Sequence, residues 1–160
     1  MKLIIQIPCF NEAGTLSIAL AALPRYVPGI DSVEWLIIDD GSHDETIKVA
    51  KANGVDHVVR HMGNKGLASA FMSGLEASLR LDADVIVNTD ADNQYNADDI
   101  PALVKPILEH SAEIVVGARP IETIEHFSPI KKILQKLGSW VVRVASKTDI
   151  PDAPSGFRAM

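Results

Sequence analysis

With 160 residues, 47% hydrophobic and 22% charged, the chain has the composition of one compact globular domain rather than a disordered segment. A net charge of -6 and a pI near 5.3 lack the clustered positive field that phosphate backbones require, which excludes a nucleic-acid partner. The single cysteine, Cys9, cannot form an internal disulfide and fits a cytoplasmic protein better than a small secreted scaffold.

The first apolar run, Leu3–Ile7, is predicted as a strand and is too short for the core of a signal peptide. It leads into the turn Pro8-Cys9-Phe10-Asn11-Glu12. A second strand is expected over Val33–Ile38, ending in Asp39-Asp40-Gly41-Ser42. Ser42-His43-Asp44-Glu45 fits a capping box ahead of a helix carrying Ile47, Val49 and Ala50. Val55–Arg60 reads as the third strand, and the glycine turn Gly63-Asn64-Lys65-Gly66 opens a long helix over Leu67–Arg80. Ala83–Thr89 is the fourth strand, followed by Asp90-Ala91-Asp92-Asn93-Gln94. The helical stretch Asp98–His110 contains Pro106, which is expected to kink or break it. Glu113–Gly117 is a fifth strand, and Ser128-Pro129 opens a further helix. No stretch approaches the roughly 18 uninterrupted apolar residues of a membrane span.

This alternation of strands and helices gives an α/β fold. Runs such as Trp35-Leu36-Ile37-Ile38 are apolar without a period of two, as in a mainly parallel sheet covered by helices on both faces. In such sheets ligands bind beyond the carboxyl ends of the strands, where this chain places its acidic turns.

Asp90 and Asp92 flank a small residue at a strand end, a spacing that lets both carboxylates reach one cation. Mg²⁺ takes one or two protein carboxylates and completes its shell with substrate phosphates and water. Gln94 can add a direct or water-mediated contact. The plain alternative is that these acids, like Asp39 and Asp40, only form turns and cap helices. The turn Asn64-Lys65-Gly66 can present amides and one ammonium to phosphate, or simply start a helix.

Read in order, Ile7-Pro8-Cys9-Phe10-Asn11-Glu12, Ile38-Asp39-Asp40-Gly41-Ser42-His43-Asp44-Glu45-Thr46, Asn64-Lys65-Gly66-Leu67-Ala68-Ser69-Ala70, Asp90-Ala91-Asp92, Gly117-Ala118-Arg119 and Asp152-Ala153-Pro154-Ser155-Gly156-Phe157-Arg158 resemble the motifs of family-2 glycosyltransferases. The resemblance is strongest to the polyprenyl-phosphate sugar transferases of the dolichol-phosphate mannose synthase type. It implies a Rossmann-like, GT-A type domain with a donor nucleotide-binding part over residues 1–120 and the start of an acceptor-side part over 121–160. It also implies further chain beyond Met160, so the sequence is expected to be a C-terminally truncated piece, whose activity alone is in doubt.

The resemblance further implies that Pro8, Phe10, Asn11, Glu12, Asp39, Asp40, Asn64, Lys65, Gly66, Asp90 and Ala91 contact a UDP-sugar or GDP-sugar donor. Asp90, Asp92 and Gln94 are expected to hold Mg²⁺ or Mn²⁺, with Arg119 approaching the phosphates or the acceptor. Asp152 matches the position of a catalytic base, and Ser155 and Arg158 match an acceptor-phosphate site. The expected reaction is direct displacement at the anomeric carbon, with inversion, onto a polyprenyl phosphate in cell-envelope glycan synthesis. The segment Ser128–Lys147 is amphipathic and basic, suited either to peripheral contact with the inner face of the cytoplasmic membrane or to packing on the core. Homo-oligomer formation is left open. The competing readings are a non-catalytic nucleotide-sugar binder and a receiver-type, Mg²⁺-dependent phosphoacceptor domain built on Asp39-Asp40. A dinucleotide oxidoreductase is disfavoured because no G-x-G-x-x-G follows the first strand.

Overall fold

A computed structural model describes residues 1–118, 152 and 155–160. The expected helix at Ser128-Pro129, the basic segment Ser128–Lys147 and Arg119 lie outside the described residues.

The strands are β1 (Lys2–Cys9), β2 (Ser32–Asp39), β3 (His57–Arg60), β4 (Val85–Asn88), β5 (Val115–Val116) and β6 (Arg158–Ala159). They form one sheet of order β3-β2-β1-β4-β6-β5. The first four run parallel, with Gln6 of β1 opposite both Leu36 of β2 and Asn88 of β4. β6 is antiparallel to both of its neighbours, β4 and β5. This short reversed strand is the one element of the sheet that the apolar pattern did not announce.

The helices are α1 (Leu16–Ala22), α2 (Thr46–Ala52), α3 (Leu67–Arg80) and α4 (Ile100–Leu108), the last preceded by a 3-10 turn at Ala97–Asp99. β1 is buried on both faces, which explains why its apolar residues do not alternate with polar ones. Leu3, Ile5 and Ile7 pack with Leu16, Leu20, Ile100 and Val104 on one face. Ile4 joins Leu36, Ile38 and Ala70 on the other, beneath α3. The polar Gln6 fits on that second face because α3 crosses it at Gly74, where a Cβ would lie 2.5 Å from Gln6 Oε1. Gln6 Nε2 in turn donates to Asn88 Oδ1 at 2.9 Å, joining β1 to β4 inside the core.

Two local expectations differ from the outcome. The capping box does not form, because Ser42 Oγ accepts the N–H of Asn11 and Ser42 N–H donates to Asp39 Oδ1. Asp44 orders the start of α2 instead, accepting from the N–H of Thr46 at 3.0 Å and the N–H of Ala13 at 3.0 Å. Thr46 Oγ then accepts the N–H of Glu12, so the turn after β1 is sewn to the start of α2. α4 runs through Pro106 and ends two residues later at Leu108. A proline in the last turn forfeits one hydrogen bond without stopping the preceding turns, and its carbonyl accepts from Ser111 N–H at 2.9 Å.

Candidate active site

At the carboxyl ends of β1, β2 and β4 the chain leaves a cavity of about 260 Å³. Pro8, Phe10 and Glu12 from the turn after β1 form one wall, with Asp40 beside them. Asn64, Gly66, Leu67 and Ala70 close a second side from the start of α3. Asp90, Ala91 and Asp92 form the third, directly after β4.

Asp40 is 4% exposed, and each of its oxygens is engaged. Oδ1 accepts the Lys65 N–H at 2.9 Å and faces His61 Nδ1 at 2.7 Å, while Oδ2 accepts the Gly66 N–H at 2.8 Å. Burial pushes this carboxyl upward, but the hydrogen bonds from His61 and the amides of Lys65 and Gly66 outweigh it, so the group lies below the ordinary carboxylate range. The Lys65 and Gly66 amides of the glycine turn are therefore committed to Asp40, and of this turn Asn64 and Gly66 line the cavity whereas Lys65 does not.

Asp39 separates from its neighbour, as successive residues at a strand end must. It is fully buried, accepting from Ser42 N–H at 3.1 Å and facing Arg60 Nε at 3.2 Å. It braces the turn and does not line the cavity. Asn11, at φ +57°, likewise turns its side chain to the His43 N–H, at 2.8 Å.

Asp90 and Asp92 both line the cavity. Gln94 faces a different cleft with Tyr95 and Asn96, although its N–H donates to Asp92 Oδ1 at 3.1 Å. Among the described residues, no three His, Cys, Asp or Glu side chains are grouped to hold a metal alone. Two hard oxygen donors on one cavity fit a Mg²⁺ or Mn²⁺ ion that draws its other ligands from a diphosphate and water. Asp90 and Asp92 would hold it.

The residues expected on the acceptor side lie next to this edge. Asp152 is 1% exposed, and its carbonyl accepts the Ser155 N–H at 3.1 Å. Ser155 is fully buried, with its Oγ accepting from Phe157 N–H at 3.3 Å. Arg158 Nη2 donates to the Ser155 carbonyl, and its guanidinium stands 5.7 Å from the Phe71 ring centre. Arg158 and Phe71 line a second cleft, of about 470 Å³, which shares Leu67 and Asp90 with the first.

Several supporting residues had no signal in the sequence. Tyr95 Oη accepts the Gly156 N–H at 3.1 Å and its ring stacks on Phe157 at 5.1 Å, tying the acidic turn to β6. His61 braces Asp40 from the end of β3. Cys9 also lines the cavity, but burial and then the nearby Glu12, Asp39 and Asp44 carboxylates push its thiol far up, which removes it as a nucleophile.

The glycosyl transferase family 2 model matches residues 4–159. A dolichol-phosphate mannosyltransferase from Pyrococcus furiosus is 32% identical over the full chain, which covers 46% of that protein. A UDP-N-acetylglucosamine–dolichyl-phosphate N-acetylglucosaminyltransferase from Methanococcus voltae is 31% identical over 96% of the chain and 66% of its own length. The chain spans about two thirds, or less, of these curated relatives. Among solved structures, glucosyl-3-phosphoglycerate synthase from Mycobacterium tuberculosis, in complex with Mn²⁺, UDP-glucose and phosphoglyceric acid, superposes with a TM-score of 0.75 at 21% identity, covering 99% of this chain and 55% of that one. That likeness establishes the fold alone. The match to the family model along nearly the whole sequence shows that the chain belongs to glycosyl transferase family 2.

Proposed function

We propose that this chain forms the donor-binding part of an inverting glycosyltransferase that moves a sugar from UDP or GDP to a polyprenyl phosphate. The observation that supports it most is that Asp40, Asp90 and Asp92, from the ends of two different strands, line one cavity. The curated names of the relatives support the acceptor class.

In this reading Pro8, Phe10, Glu12 and Asp40 receive the base and ribose, and Asn64 and the Lys65 ammonium approach the diphosphate. Asp90 and Asp92 hold Mg²⁺ or Mn²⁺, which supplies Lewis-acid stabilisation of the departing nucleoside diphosphate. Arg158, on the second cleft, orients the acceptor phosphate, and the buried Ser155 supports it through the carbonyl that accepts from its guanidinium. Such a phosphate is largely anionic at neutral pH, so Asp152 has little proton abstraction to perform and chiefly steadies the Ser155 turn. Residues 1–120 then serve the donor and 121–160 begin the acceptor side. Among the described residues no helix is long and apolar enough to cross a membrane. Contact with the inner face of the cytoplasmic membrane would run through Ser128–Lys147.

A thermal-shift panel of UDP and GDP, each with and without Mn²⁺, tests the donor assignment, because a ligand bound only by the folded state raises the midpoint. The expected result is a shift for one nucleotide that requires the ion; metal-independent binding, or none, sinks the reading. Release of sugar from the matching nucleotide sugar separates an enzyme from a non-catalytic binder. A receiver domain is disfavoured by topology, since the strand order here is β3-β2-β1-β4-β6-β5 instead of the doubly wound 2-1-3-4-5.

A further inference from the structure

His61 does not line the cavity, yet it braces that site from behind. It is 7% exposed and joins three elements. Its Nδ1 lies 2.7 Å from Asp40 Oδ1, at the end of β2, and its Nε2 lies 2.9 Å from Ser73 Oγ, on α3. Its own N–H donates to the Asp39 carbonyl at 2.9 Å, fixing the backbone from which the ring projects.

The chemistry of the partners orders the ring. Asp40 is held as a carboxylate by two backbone amides, so it can only accept and Nδ1 must carry the proton. Nε2 shares a hydrogen bond with the Ser73 hydroxyl. Both ring nitrogens are thus engaged, and the Asp40 carboxylate is gripped from the protein side by three N–H groups. A carboxylate oxygen offers about two lone-pair directions. With Oδ1 filled by His61 and Lys65, and Oδ2 holding only Gly66, the capacity left for a ligand lies on Oδ2.

We infer that His61 is a positioning residue for the donor: through its Nδ1 it fixes the rotation of the Asp40 carboxylate, leaving Oδ2 to accept a hydroxyl or ring N–H of the nucleoside. The inference rests on the proposed donor site. It makes nucleotide affinity sensitive to the one ring nitrogen that touches Asp40 and insensitive to the loss of the other.

Two isosteric replacements separate the nitrogens. In His61→Asn the amide NH₂ stands near Nδ1 and keeps the bond to Asp40; in His61→Gln it stands near Nε2, reaching Ser73 and leaving Asp40 ungripped. Calorimetric titration of each variant with UDP and GDP in the presence of Mn²⁺ is the test, with thermal midpoints measured alongside. The expected result is affinity within about threefold of the native protein for Asn and a loss of roughly tenfold for Gln, the scale of one charge-assisted hydrogen bond. Equal affinities for the two variants, or losses that follow the thermal midpoint alone, assign His61 to stability and overturn the inference while the donor site stands. Failure of the native protein to bind either nucleotide overturns both.

Discussion

A Cβ atom on Gly156 would lie 3.0 Å from Oδ1 of Asp90, so the loop entering β6 closes directly on a carboxylate of the candidate metal pair. The Gly156 backbone is held by Tyr95 Oη and by Asn88 Nδ2, whose amide donates to the Gly156 carbonyl at 2.8 Å, so an added Cβ would press on the Asp90 carboxylate. Gly156→Ala is therefore expected to fold but to displace Asp90, weakening Mn²⁺-dependent nucleotide binding roughly tenfold, the low end of losses caused by disturbing a ligand's support. Titration of the variant with UDP or GDP and Mn²⁺ checks this; unchanged affinity would mean Asp90 holds no ion.

Asp92→Asn keeps the shape of the side chain and removes half of the charge offered by the pair. Nucleotide affinity in Mn²⁺ should fall by at least about tenfold, and raising the ion concentration should recover part of it, since a weaker ligand set is still filled by mass action. A variant indistinguishable from the native chain in calorimetry would contradict the metal assignment.

Asp152→Asn should leave nucleotide binding unchanged. In sugar transfer to a polyprenyl phosphate it should cost less than Asp92→Asn, because an anionic acceptor arrives already deprotonated. Radiolabelled transfer by the two variants gives the comparison, and a larger loss at Asp152 would restore it as the base.

The depressed titration of Asp40 ties stability to pH. A carboxylate whose folded value lies below its unfolded value stabilises the fold fully above the unfolded value, about 3.9, and that contribution is lost as pH falls through the folded one. Asp40→Asn removes this term. Its thermal midpoint should sit below the native one at pH 7, and the gap should narrow as both are titrated toward pH ~3. A gap independent of pH would show that Asp40 is not charged in the fold.

Gly41 tests the junction behind the cavity. Its φ is +80°, and a Cβ there would stand 2.6 Å from the backbone of Gly63. Both loops are main chain at that point and neither can rotate away, so Gly41→Ala combines left-handed strain with a backbone clash. A loss of about 2 kcal/mol or more in denaturant unfolding is expected; a loss below 1 kcal/mol would mean that the two turns are not locked together.

Much of the framework was legible because burial on both faces leaves a strong mark. β1 and β2 appear as mostly apolar runs without a period of two, and α3 spans Leu67–Arg80 as its pattern and glycine turn predicted. What spacing could not decide was direction. Asp39 and Asp40 are adjacent, and only the observed register sends one into the core toward Arg60 and the other to the cavity. Ser42 matched a helix cap by its offset from Glu45, but the Asn11 amide across the cleft claimed its hydroxyl. β6 was invisible for a different reason: two residues carry no periodicity, and Ala159 becomes a strand residue only through Val87 and Val115.

The position of β6 also sets an order of assembly. Its residues come late in the chain yet stand between β4 and β5, and Met160 exchanges N–H to carbonyl bonds with Ile86 in both directions. A ribosome making this protein releases the strands that frame the cavity before the wedge that seats its outer strand, leaving one flank of β4 unsealed in the interval. Nascent chains would meet that interval with an open sheet edge, the kind of surface on which one polypeptide adheres to another.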